Sequence, residues 1–586
     1  MDSSPSPAIA SSTTWLAAGA TADIRARRVV VVKTAAHPIA VFAVGDGFRA
    51  VDNRCPHLGF PLHQGTVKDG ILTCHWHHAN FDLRSGCAFD PWADDIPAHA
   101  VRVVGDAVEV AAQPVRIPDR AFHRERLRRG LDQDLGLLQA KSLIGLLGLG
   151  DDPTAIVREA LLARLDNLRD ASGLIDLALA ASLQPQVSAQ TGYLLLARGL
   201  GQLASASRNN RRPVAGALDG VGYGFPELRR WFRQFVADRH GDGAERILLT
   251  AIAQGSTPAE LVELIVGTAA ERVYANQGHV VDFANQACAL LDRLGWEHAA
   301  RVLPLVIPLL VEARGAEEDG SWHHPAELIA PLLAAEAGLR DGSAPAPAAA
   351  PVPERIVAII LGDDPLLIIA TLAGALRGGA SPAELARLVC YAAARRLAHF
   401  ASANEVGDWF NPRHTFTFAN AVHQAIVRAP VPDVARSLLH AALAVYQDRF
   451  LNVPPARLPQ DDPQRDALPV AADALLRLLL ETLDGRSSPE RAGLIVSRYL
   501  QQGHAPAPLM DALAFATVRE DLDFHPFQTL EAGLRQARDW AGRPEAEHLL
   551  VAVARSLAAV CPTPRARLKT ALIAQRLQRG DRLHEG

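Results

Sequence analysis

Cys55-Pro56-His57-Leu58-Gly59 and Cys74-His75-Trp76-His77, with sixteen residues between His57 and Cys74, decide how the N-terminal part of this chain folds. Each stretch pairs a thiol with an imidazole two or three residues on. Two thiolates and two imidazoles brought together suit a two-iron, two-sulfide cluster held asymmetrically. The thiolates take one iron and the imidazoles the other, which raises the potential above that of an all-thiolate cluster. The same four donors also suit a tetrahedral Cys2His2 zinc site. Around them run short β-branched stretches, Arg28–Lys33, Ile39–Val44, Phe48–Val51, Ile71–Thr73, Val101–Val104 and Val108–Val110, parted by Gly, Asp and Pro. Residues 14–113 therefore read as a small all-β domain with the Cys/His pairs in its loops.

From about Phe122 the pattern changes to long Ala/Leu/Arg segments of 3.6-residue period, so residues 120–586 read as a large all-α domain. Pro/Ala-rich Asp341–Pro353 interrupts it as a linker, and Asn452–Pro469 is a second loose stretch. The helical part repeats itself. Gly255-Ser-Thr-Pro-Ala-Glu-Leu261 recurs 124 residues on as Gly379-Ala-Ser-Pro-Ala-Glu-Leu385 and, more weakly, after another 124 as Gly503-His-Ala-Pro-Ala-Pro-Leu509. Each copy reads as a helix ending in Gly, a cap or its substitute, then Pro opening a second helix. This predicts sub-repeats at about 225–340, 355–455 and 470–586, packed as a curved or closed helical array.

A histidine opens the helix that follows in each copy: His279, His414 and His525. Forty-four residues after His279 comes His323, and forty-four after His525 comes Lys569, whereas Leu458 holds that place after His414. If the repeats close around an axis, these residues converge, and imidazoles suit a first-row transition metal. A lysine ligates only after carboxylation of its amine. His324 is an alternative to His323. His423, His440 and His504 are outside candidates, and Glu271, Glu520 and Glu531 could supply a carboxylate partner but read rather as solvated helix charges.

The two Cys/His pairs, with Gly59, Pro61-Leu62 and Gly65 after the first and Phe81-Asp82-Leu83-Arg84-Ser85-Gly86 after the second, resemble the Rieske family. The resemblance implies a [2Fe-2S] cluster held by Cys55, His57, Cys74 and His77. His75 stands where that family commonly has Pro, and His78 where it commonly has Gly, a residue read here as packing on the cluster loop, with a proton relay as the alternative. Phe60 and Trp76 stand where the respiratory type has disulfide cysteines, and Phe81 where a tyrosine hydroxyl donates. Both departures imply a potential toward the low end of the Rieske range. The mixed α/β catalytic half of Rieske ring oxygenases, with its two-histidine, one-carboxylate iron, is absent from this sequence. The helical part, roughly residues 120–586, instead resembles the questin-oxidase-like family. That resemblance implies mononuclear iron, Fe(II), held by His279, His323, His414, His525 and a carboxylated Lys569.

Together these readings predict an oxidoreductase in which the cluster feeds electrons to iron that activates O2 on a hydrophobic, aromatic or polycyclic substrate. An external reductase or ferredoxin is the implied donor, since no Gly-rich dinucleotide fingerprint follows a strand. The alternative is an electron-transfer or redox-sensing protein whose helices only dock a partner. The 586 residues suffice for several domains, and 49 % hydrophobic content, 21 % charged content and a net charge of -5 give no basic excess for nucleic acid. Of six cysteines, Cys87, Cys288, Cys390 and Cys561 are scattered outside the cluster and suit a reducing compartment and inert core positions. Met1–Ser12 lacks a secretory pattern, and Val302–Val311 and Ile356–Ile369 are too short or too broken to span a bilayer, so the expected location is cytoplasmic.

Overall fold

The computed structural model describes residues 13–581 except 35–36, 91, 116–118, 209–212, 214, 221, 321, 325, 341–351, 486–487 and 580. The N-terminal stretch to Ser12 and nearly all of the Asp341–Pro353 linker lie outside the described residues. A small β domain precedes a large helical region. By compactness the chain divides into one unit holding the residues up to Asp152 together with Lys569 onward, and a second unit of Pro153–Leu568.

The first unit is built on nine strands: β1 (Trp15–Ala20), β2 (Val29–Val32), β3 (Ile39–Val44), β4 (Gly47–Asp52), β5 (Thr66–Lys68), β6 (Ile71–Thr73), β7 (Asn80–Asp82), β8 (Ala98–Val104) and β9 (Ala107–Pro114). Six of them form a sheet in the order β1-β9-β8-β4-β3-β2, and β5-β6-β7 form a separate antiparallel meander. Ile39 and Val41 pack into one buried cluster with Val108 and Val110, and Ala40 and Phe42 into another with Val51, so β3 buries both of its faces. The thiols of Cys55 and Cys74 belong to an apolar cluster with Val51, Leu62, Leu72, Phe81 and Leu83. Cys55 follows β4, and Cys74 lies between β6 and β7.

Two helices, Arg120–Asp132 and Gly136–Gly148, belong to this same compact unit rather than to the helical one. Asp119 caps the first by accepting from Phe122 N at 2.8 Å. Arg126 and Lys141 reach Asp94 in the loop before β8. At the far end of the chain, Arg54 donates to the carbonyls of Leu577 and Asp581 at 2.9 and 2.7 Å. The change of period near Phe122 thus marks a change of secondary structure, while the compact unit runs on for another two helices.

In the second unit the three Gly-x-x-Pro segments share one local build. Gly255, Gly379 and Gly503 end their helices with φ of 83°, 84° and 72°, the left-handed termination that favours glycine. Pro258, Pro382 and Pro506 then open the helices Pro258–Ala269, Pro382–Ala398 and Pro506–Val518. Thr257 and Ser381 cap the first two, and Ala505 offers no side-chain cap. Cys288, Cys390 and Cys561 are buried as expected, but Cys87 is exposed. No helix among the described residues is long and apolar enough to cross a membrane.

Candidate functional site

In the first unit the four Cys/His residues meet. Cys55 and Cys74 are 2 % and 1 % exposed, His57 is half-buried and His77 is exposed, so the thiols face the core and the imidazoles the surface. The His57 and His77 rings lie 4.6 Å apart with their Nδ1 atoms 3.3 Å from each other. Both ligand loops fold alike. Gly59 N donates to Cys55 O at 2.8 Å and His78 N to Cys74 O at 3.0 Å, and Gly59 and His78 both have positive φ, 84° and 60°. His78 therefore occupies a backbone position that favours glycine, and its ring is exposed. The packing role expected of it is not what the structure has.

The two loops also touch at the disulfide positions of the respiratory type, where the Phe60 and Trp76 rings stand 5.5 Å apart. An apolar contact takes the place of a covalent bridge. Trp92 lies 5.0 Å from the His57 ring.

The electrostatics favour ligation. Burial, then the neighbouring His77 and Lys141, bring His57 down to about 4, leaving it neutral at pH 7 as a metal ligand must be. Its hydrogen bond with Cys74, and then burial, push the Cys55 thiol up. The same bond brings Cys74 down to about 6, with the backbone N–H groups of Trp76 and His77 adding to the effect. The two sulfurs hydrogen-bond to each other and receive main-chain donors, the environment that a thiolate-held cluster uses. These donors fit a [2Fe-2S] group.

His78→Gly tests the backbone reading. The left-handed region costs a non-glycine roughly 1–2 kcal/mol, against roughly 0.5–1 kcal/mol of extra chain entropy for glycine. The variant is expected to keep the cluster's visible absorption and to unfold at the parent temperature or slightly above. Loss of the absorption would show that the imidazole itself is required.

In the second unit His279, His414 and His525 each offer one ligand atom, all within 4.8 Å of one another. Their ring centroids are 4.7 Å (His279–His414), 4.8 Å (His414–His525) and 5.6 Å (His279–His525) apart. His279 and His525 are the first residues of the helices His279–Leu294 and His525–Asp539. His414 lies one turn inside the helix Phe410–Arg428, not at its start. The Nε2 atoms of His279 and His525 are 3.3 Å apart. His414 Nε2 is buried without a protein partner.

Their outer nitrogens are oriented. His279 Nδ1 lies 2.9 Å from the Asn276 carbonyl. Asp523 Oδ1 lies 3.2 Å from His525 Nδ1, although off the line of a good hydrogen bond. Carbonyl and carboxylate partners of this kind fix the ring of a metal-binding histidine. Burial, then the charges of His279, His525 and Arg413, bring His414 down to about 3, and burial also lowers His279. Phe283, Phe410 and Phe524 surround the three imidazoles with apolar rings. The donor set fits a first-row metal ion.

The backbone leading to His279 is strained. Tyr274, Asn276 and Gln277 have φ of 51°, 49° and 54°, and Gly278 has 88°. Such residues cost about 1–3 kcal/mol each and cluster at functional sites. A Cβ on Gly278 would lie 2.7 Å from Phe418 Cβ and Cγ. Gly278→Ala is therefore expected to cost at least about 2 kcal/mol and to displace His279, read as a lower unfolding temperature together with metal lost on dialysis. Beside this segment is a cavity of about 580 Å³, lined among others by Tyr274, Asn276, Trp322, Thr415 and Asp448. Asp448 is 6 % exposed and pushed up to about 7 by burial, and its Oδ2 has no partner.

Among the described His, Cys, Asp and Glu residues the group is these three histidines alone. His323 Nδ1 pairs with Glu327 Oε2 at 2.5 Å near the surface. Lys569 is exposed on the helix Ala566–Gln578 and falls in the other compact unit. His324 is exposed. His423, His440 and His504 bond to Gln536, Glu336 and the Val470 carbonyl. Glu520 and Glu531 are 0 % and 3 % exposed and pair with Arg565 and Arg535, so they are buried ion-pair members rather than solvated charges. Asp523, two residues before His525, is a signal that the sequence itself carries.

Comparison with known proteins agrees with the first site. Residues 14–100 match the Rieske [2Fe-2S] domain model. The ferredoxin subunit of anthranilate 1,2-dioxygenase from Burkholderia cepacia is 37 % identical over 76 residues, 12 % of this chain and 68 % of that protein. The ferredoxin component of the p-cumate 2,3-dioxygenase system from Pseudomonas putida is 33 % identical over 102 residues, 16 % of this chain and 86 % of its own. Ferredoxin CarAc from Metapseudomonas resinovorans is 30 % identical over 101 residues, 17 % and 94 % of the two chains. Such coverage of whole ferredoxins, together with the converging thiols and imidazoles, implies electron transfer through a [2Fe-2S] cluster, and through its N-terminal domain the chain belongs to the Rieske family.

Proposed function

We propose that this chain is a two-domain oxidoreductase, a non-heme iron oxygenase supplied with electrons by its own Rieske cluster. The observation that carries the proposal is the convergence of His279, His414 and His525, with a buried, unpartnered His414 Nε2 among them. A redox domain fused to such a site favours iron over redox-inert zinc. When bound there, iron supplies the activation of O2. The Asn276 carbonyl orients the His279 imidazole, and the Asp523 carboxylate lies 3.2 Å from His525 Nδ1. The surrounding phenylalanines exclude water, and the adjoining cavity is the proposed seat of an aromatic or polycyclic substrate. Tyr274 and Trp322, stacked 5.5 Å apart, supply its apolar wall. Electrons come from an external reductase or ferredoxin, and the expected location remains cytoplasmic.

The rival reading is a pure redox carrier with helices that dock a partner, and the kinship with ferredoxin components favours it. Quantifying iron and acid-labile sulfide in the purified chain separates them. The oxygenase reading expects about three irons for every two sulfides. Equal amounts would leave the carrier.

A further inference from the structure

Asp94 is 3 % exposed and faces three cations, Lys141 Nζ at 2.5 Å, Arg126 Nη1 at 3.3 Å and Arg129 Nη2 at 3.7 Å. Lys141 Nζ also donates to the carbonyl of Pro56, the residue between Cys55 and His57. Lys141 is 8 % exposed and is one of four lysines in a chain with fifty-five arginines. It comes from the helix Gly136–Gly148, beyond the residues 14–100 that match the Rieske domain. Three cations around one carboxylate leave the neighbourhood positive. A charge buried this far is screened much less than one at the surface.

Reducing a [2Fe-2S] cluster adds one electron, and hence one negative charge, to the group held by Cys55, His57, Cys74 and His77. We propose that Lys141 is a positioning residue for that cluster, its buried ammonium clamping the Cys55–His57 loop through the Pro56 carbonyl and raising the reduction potential. It opposes the lowering expected from a site with no disulfide between the loops and with Phe81 in place of a tyrosine. The helix pair 120–148 is then part of the redox domain. This holds whether or not the helical unit binds iron.

The test is a spectroelectrochemical titration of the full chain with dithionite as the electron source. Lys141→Gln keeps a donor toward Pro56 but loses the charge, Lys141→Met loses both, and Lys141→Arg keeps the charge. Asp94 retains Arg126 and Arg129 in every variant, so its carboxylate is not left unpaired. The two neutral variants are expected to shift the one-electron reduction equilibrium about tenfold toward the oxidised form, a fall of about 59 mV. Lys141→Arg is expected to stay near the parent. Neutral variants that carry the cluster at the parent potential would overturn the proposal. So would neutral variants that fold without a cluster while Lys141→Arg retains it at a shifted potential, since Lys141 would then be a structural clamp alone.

Discussion

His414→Ala is expected to remove the iron that the cluster does not account for, lowering the metal content from about three to about two per chain while sulfide stays at about two. The cluster's visible absorption is expected not to change, because His414 belongs to the other compact unit. The fold has reason to persist. Position 414 lies within a 19-residue helix, where alanine has the best propensity. Arg413 beside it stays anchored to Ser556 Oγ at 2.7 Å. Removing the imidazole takes away one of three convergent nitrogens, and metal sites lose about 10–100-fold in affinity even when only a residue supporting a ligand is changed. Reductant-dependent O2 uptake is expected to fall below about one hundredth of the parent's. Unchanged iron content in the variant would remove the helical metal site from the account.

Cys74→Ser is expected to act on the opposite half. A serine hydroxyl is not the soft thiolate that iron–sulfur clusters use. Cys74 lies 1 % exposed in the apolar cluster beside Leu72 and Phe81, and the Trp76 and His77 N–H groups that face its sulfur can hydrogen-bond a hydroxyl, so the fold has reason to persist while the thiolate is lost. Visible absorption and labile sulfide are expected to vanish, and iron to fall to about one per chain, the atom held by the three histidines. Reductant-dependent uptake then stops for want of an electron carrier, although the metal remains. The two variants therefore dissect the chain, each losing the metal that the other keeps. If Cys74→Ser also released the last iron while circular dichroism showed the helices intact, that iron would belong to the cluster site.

The cluster ligands were legible because they are local. Each thiol and its imidazole sit on one loop, and the loops flank short strands whose pattern is plain. The aromatic contact of Phe60 with Trp76 was half legible, as two positions lacking cysteine; what replaces the bridge needed coordinates. The helical site was partly legible, since repeats place His279, His414 and His525 at helix starts or one turn within. The regular spacing of forty-four residues to His323 and Lys569 was misleading. Those positions follow from arithmetic along the chain, and the backbone carries His323 to Glu327 and Lys569 to the surface. The support of His279 was illegible for another reason. It comes from a carbonyl presented by the left-handed run through Tyr274, Asn276 and Gln277, of which only Asn is a residue type enriched in that conformation. Lys141 was passed over because it meets Pro56 across 85 residues of sequence and sits in a helix that reads as the start of the helical domain.

The proposed function puts a lone iron among three histidines in a chain that also carries a Rieske cluster. An anomalous-scattering difference map across the iron edge, measured on crystals of the full chain, tests it most directly. One strong feature is expected at Cys55, His57, Cys74 and His77, and a second, single-atom feature within bonding distance of His279, His414 and His525. A map with signal at the cluster alone, or with zinc rather than iron at the three histidines, would contradict it.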